Sequence, residues 1–158
     1  MHKRIILVGH GGSGKDYARK LFESRGFKYA TSYTTRPSRT GETNGVDYFF
    51  ITEEMFRNMI KNDMFYEYVS FNGWFYGTSM EQFYTNDVFI MTPSGISKIK
   101  PEDRKHSFVI YFNIAENVRR ERLSQRNDAD NVDRRILADI ADFKNFTDYD
   151  FHVIDPYF

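Results

Sequence analysis

The sequence predicts an α/β fold with a mostly parallel sheet flanked by helices. Three observations carry this. Apolar runs at 3–8, 88–91 and 108–112 are continuous rather than alternating, as in strands covered on both faces. Helical patterns at 15–24, 116–126 and 132–143 alternate with those runs. Between 65 and 78, two strand-like runs flank Asn72-Gly73, the strongest short hairpin signal.

The elements follow in order. The run 3–8 ends in glycines and reads as a buried strand. Helix 15–24 puts Ala18, Leu21 and Phe22 on one face, and Gly26 stops it. A second strand is expected at 27–31. Residues 32–45 are polar, with Pro37, Gly41 and Gly45, and read as a structured loop. A strand at 46–51 follows. Thr52 then caps a helix that opens with Glu53 and Glu54 and turns Met55, Phe56, Met59 and Ile60 to one side. The hairpin comes next, then the buried strand 88–91, a short helix after Pro93 and the strand 108–112. Two helices and a last strand at 151–154 complete the chain. A hairpin-bearing insert at 32–80 thus interrupts the alternation.

A chain of 158 residues is the size of one domain. Its 16 Phe and 11 Tyr supply the bulk of a core. Lys+Arg and Asp+Glu are both 22, so no cationic excess points to nucleic acid or to a membrane surface. The first apolar run is too short for a signal peptide or a membrane span. There is no Cys, hence no disulfide and no thiolate chemistry. A soluble, cytoplasmic protein is expected.

Gly9-His10-Gly11-Gly12-Ser13-Gly14-Lys15 fits G-x-x-x-x-G-K between a strand and a helix. Glycines let backbone N–H groups turn inward around phosphate oxygens, and the helix N-terminus favours the negative charge. Lys15 suits the β- and γ-phosphates. The expected ATP site is therefore Gly9, Gly11, Gly12, Ser13, Gly14, Lys15 and Asp16. Asp16 stands where a hydroxyl residue normally meets Mg²⁺. A carboxylate is a hard anionic oxygen ligand, so Asp16 is the candidate for the metal.

Arg36 and Arg39 lie three apart in the polar loop, and a guanidinium pair can clamp a phosphate dianion. Ser32 through Phe50 meets the pattern S-x-T-T-R-x-x-R-x-G-E-x-x-G-x-D-Y-x-F, with Gly45, Asp47, Tyr48 and Phe50 in register. Glu67-Tyr68 and Tyr76-Gly77-Thr78 meet a later pattern, E-aromatic followed by Y-G-[ST]. Here the chain resembles the guanylate kinase family over nearly its whole length. The resemblance implies a P-loop NTPase core at 1–31, 81–115 and 139–158, an acceptor-binding insert at 32–80 and a short helical lid at 116–138. It implies that Ser32, Arg36, Arg39, Tyr48 and Tyr76 hold the phosphate of a GMP or dGMP acceptor. It implies that Glu67 and Thr78 read the guanine edge, and a carboxylate accepting from the N1–H and N2–H₂ of guanine agrees chemically. By the same resemblance Arg126 and Arg135 are the lid arginines that act with Lys15 in catalysis, with 127–131 as the lid between them. ATP and Mg²⁺ are the implied cosubstrate and metal.

The chain departs from the family in three places. One is Asp16. Another is the strand end at 88–91, where the family usually carries D-x-D and this chain has Ile90 and Thr92. The third is Phe158, where relatives usually add a helix. The first two departures also mark ribose 1,5-bisphosphate phosphokinases, and G-K-D occurs in phage-type deoxynucleoside monophosphate kinases. Guanylate kinase-like interaction modules are a non-enzymatic alternative, though their phosphate loops are typically degraded.

Overall fold

The structure, a computed structural model, describes residues 3–126 and 131–158. Two four-stranded sheets organise it. The first has the order β6-β1-β7-β8, from Arg4–Gly9 (β1), Val88–Ile90 (β6), Ser107–Phe112 (β7) and Phe151–Val153 (β8), and every pair in it is parallel. The second has the order β3-β2-β5-β4, from Tyr33–Thr34 (β2), Phe49–Phe50 (β3), Phe65–Phe71 (β4) and Trp74–Ser79 (β5). It is mixed, since β2 runs parallel to β3 and antiparallel to β5.

Alternation along β1 explains why the first sheet is covered on both faces. Ile6 and Val8 join one apolar cluster with Phe89, Met91, Val109 and Tyr111. Leu7 joins the other with Val88, Phe112 and Ala18 of helix α1, Lys15–Ser24. Phe143, the last residue of α7 (Val132–Phe143), packs against the first cluster. Buried apolar area of this kind is the main term that holds such a sheet together. The remaining helices are α2 (Glu53–Lys61), α3 (Met80–Thr85), α4 (Pro93–Ser97), α5 (Pro101–Arg104) and α6 (Glu116–Ser124). Thr52 caps α2 by accepting from the Met55 N–H, and Asn131 caps α7 through Arg134 N–H. Among the described residues, no helix is long and apolar enough to cross a membrane.

Several local expectations change. The strand expected at 27–31 reduces to a single bridge, Tyr29 to Val88, because Thr31 N–H turns to the side chain of Gln82 instead of a ladder. The strand expected at 46–51 shortens to β3. Its first half is a turn in which the Val46 and Asp47 N–H groups both donate to Thr43 O and Gly45 has φ +82. Strand β2 lies inside the stretch read as loop, recruited by long-range pairing to β5. Helices α3 and α5 are additions; Ser79 caps α3. The Asn72-Gly73 turn forms as the sequence implies, with φ 54 and φ 85, the left-handed pair of a type I′ hairpin.

Candidate active site

The loop between β1 and α1 is a cradle of backbone. Gly12 and Gly14 have φ +78 and +96, a region that side chains with a Cβ avoid. A Cβ on Gly12 would also sit 2.9 Å from the carbonyl oxygen of Arg119. Gly14 caps α1 without any side-chain hydrogen bond, so the first amides of the helix point at whatever occupies the loop. Lys15 folds back so that Nζ donates to Gly9 O. Burial lowers the Lys15 pKa to about 8, and Asp139 and Asp142 oppose that shift while Arg126 and Arg135 add to it. Ser13 Oγ and His10 Nδ1 are buried with no hydrogen-bond partner among the described residues. The imidazole of His10 instead stacks on Phe143 at 3.9 Å, and burial lowers its pKa to about 4.

The second sheet supplies a different surface, made of side chains. Arg36 is buried and pairs with Glu42 through two bonds of 2.9 Å, Nη1 to Oε1 and Nη2 to Oε2. The same Glu42 accepts from Arg39 N–H at 2.6 Å. One carboxylate thus holds Arg36 in the bidentate geometry only a guanidinium offers and fixes the backbone at Arg39. The Arg36 guanidinium lies 5.2 Å over the Tyr48 ring, and Tyr48 meets Tyr76 edge-on at 6.0 Å. Burial pushes the Tyr48 phenol up to about 12 and raises that of Tyr76, so both remain neutral donors. Ser32, also buried, anchors the loop through its carbonyl, which accepts from Phe49 N–H.

Deeper in the same half lies Glu67. Its Oε1 accepts from the Thr78 hydroxyl at 2.7 Å, and burial raises the pKa of its carboxyl. Gly95 of α4 approaches so closely that a Cβ there would stand 3.0 Å from Glu67 Oε2. Thr92 spends its oxygen capping α4, where it accepts from Gly95 N–H.

Both surfaces open into one cleft of about 1050 Å³. Of the residues named from the sequence, the loop glycines, Ser13, Lys15, Asp16, Ser32, Arg36, Arg39, Tyr48, Glu67, Tyr76, Arg126 and Arg135 all line it. Thr78 does not; it is 1% exposed and sits behind Glu67, whose carboxylate it orients. Residues 127–130 of the expected lid lie outside the described residues.

A family model described as guanylate kinase matches residues 1–155. The chain belongs to the guanylate kinase family. It is a guanylate kinase-like phosphotransferase with a nucleoside monophosphate kinase role. The fold is similar to a crystal structure of guanylate kinase from Anaplasma phagocytophilum, with a TM-score of 0.75 and 22% identity, over 99% of this chain and 79% of that one.

The kinase's phosphate loop fits a polyphosphate: Ser13 Oγ is buried with no hydrogen-bond partner among the described residues, Lys15 follows at the helix start, and no side chain caps the amides that open α1. Magnesium is less simply provided for. Among the described residues there is no group of three or more His, Cys, Asp or Glu that could hold a metal. The Asp16 carboxylate accepts from Arg19 Nε at 2.8 Å and lies 3.4 Å from Lys20 Nζ. A metal at this loop would meet Asp16 as a carboxylate already shared between Arg19 and Lys20.

Four contributors escape sequence reasoning. Arg19 is 2% exposed and binds Asp16, Glu23 and Asp47, which ties the kinase's first helix to the turn before Tyr48. Acids at i−3 and i+4 from Arg19 were its available signal. Glu42 stands inside the quoted motif, yet nothing there reveals that it holds both arginines. Asp139 and Asp142 of α7 also line the cleft. Asp142 has its pKa raised to about 6 by burial and by Asp139.

Proposed function

We propose that this kinase transfers the terminal phosphoryl group of ATP to GMP or dGMP. The observation that carries the acceptor assignment is Glu67. It is a buried carboxylate, pre-oriented by Thr78, in the same cleft that Arg36 and Arg39 line. Guanine presents two donors, N1–H and N2–H₂, to such a group, whereas adenine presents an acceptor at N1. The acceptor phosphate then meets Arg36, Arg39, Tyr48, Tyr76 and Ser32, and the insert at 32–80 serves as the acceptor-binding unit.

In this reading an oxygen of the acceptor phosphate attacks the γ-phosphorus. The bond from that phosphorus to the bridging oxygen of ADP breaks. No side chain becomes covalently modified. Lys15 and the loop amides hold the donor phosphates, and Arg126 and Arg135, in the lid region 116–138, neutralise the charge on the moving group. Magnesium would supply charge neutralisation to the donor phosphates, and Asp16 is the residue of this loop that would hold it.

A second reading is a sugar bisphosphate acceptor. Ile90 and Thr92 favour it, because they line the cleft where a second acid would complete a guanine site. A coupled ADP-release assay with GMP, dGMP, AMP, UMP, dTMP and ribose 1,5-bisphosphate separates the two. GMP and dGMP are expected to turn over fastest, by a smaller margin than a two-acid pocket would give. Turnover of the sugar phosphate alone puts the second reading first, and none with any acceptor removes both.

A further inference from the structure

Asp139 lies one helical turn beyond Arg135 on α7, so both side chains share a face. Both are more than nine-tenths buried, at 5% and 8% exposure. Asp139 Oδ2 accepts from the Gly11 N–H at 2.7 Å, and a Cβ on Gly11 would stand 3.3 Å from that oxygen. A carboxylate this close to a phosphate cradle would repel phosphate if it stood alone. Three cations surround it: Lys15, Arg119 and Arg135. Arg135 itself lies within electrostatic reach of Lys15 on the donor side and Tyr76 on the acceptor side. Near the start of the same helix, Arg134 Nη2 donates to Asn72 O at 2.8 Å in the hairpin turn, and its guanidinium lies 5.5 Å over Trp74. Helix α7 therefore bridges the insert and the phosphate loop, and Asp139 makes its attachment to the loop.

We propose that Asp139 is a positioning residue: its bond to Gly11 pins α7 to the phosphate loop and so sets Arg135 between the donor and acceptor phosphates. Asp139 does not touch the reacting atoms. This inference rests on the phosphoryl-transfer reading above.

The test is steady-state phosphotransfer by the full chain, with ATP and its best acceptor. Misplacing a charge-stabilising group is costly, so Asp139→Ala should lower kcat about 30-fold while the KM for acceptor stays within about threefold. Asp139→Asn keeps an oxygen that accepts from Gly11 N–H and should stay within about threefold of wild type. In an Arg135→Ala background, Asp139→Ala should cost less than about threefold more, because the two side chains act as one unit. The Gly11 amide proton, followed by NMR, should exchange faster in the alanine variant and not in the asparagine variant. Melting temperatures check folding, and Asp139→Ser replaces the alanine variant if that one does not fold. A kcat for Asp139→Ala within threefold of wild type overturns the proposal, as does the same loss in both backgrounds. A wild-type chain inactive with every acceptor overturns the underlying reading as well, whereas an active wild type with an unaffected variant overturns only this one.

Discussion

In the parallel-sheet half, the cleft wall is mostly main chain: glycines in left-handed conformation, uncapped helix amides and one lysine bonded back to the loop. In the mixed-sheet half, the wall is mostly side chains: an arginine pair held by Glu42, two phenols and a buried carboxylate. A main-chain wall recognises charge and geometry, and it is indifferent to side chains at positions such as His10. A side-chain wall can tell one ligand from another, and each of its members needs a partner to stay in place. On this reading, donor binding is the general half of the reaction and acceptor choice is the particular half.

The largest effect that would break this contrast comes from Lys15, the cationic side chain of the main-chain wall. Lys15→Met should cost about 3–4 kcal/mol in the transition state, read as kcat, without loss of folding, since burial already disfavours its charge. Near-full turnover would remove Lys15 from the mechanism. Next is Glu67→Gln, which should raise the KM for GMP about tenfold, or ~1.4 kcal/mol, and leave the KM for ATP in place. Equal losses for both substrates would mean that the two walls do not act separately. Smallest is Asp16→Ser. Loss of a carboxylate already shared with Arg19 and Lys20 should shift the Mg²⁺ requirement only about two- to threefold upward. An unchanged requirement would reduce Asp16 to a partner of Arg19.

The same contrast explains what could be read in advance. The phosphate loop and the hairpin turn were legible because their glycines act locally, through backbone angles that the sequence states directly. The apolar runs gave the parallel strands for a similar reason. Strand β2 was not legible, since two residues in a polar loop become a strand only by pairing with β5. The double hold of Glu42 on Arg36 and Arg39 was not legible either, because it depends on how the loop folds over itself. Asp139 was not legible, because its partner Gly11 is 128 positions away. The bond from the Thr78 hydroxyl to Glu67 was not legible, since residue spacing does not encode which side chains meet in depth.

The Arg134 contact with the hairpin turn falls beside Trp74, the single tryptophan of the chain. An indole that lines the cleft beneath a guanidinium from α7 is a built-in optical reporter. Any change in the Arg134–Trp74 contact would register in its fluorescence, with no label attached and no second indole to obscure the signal.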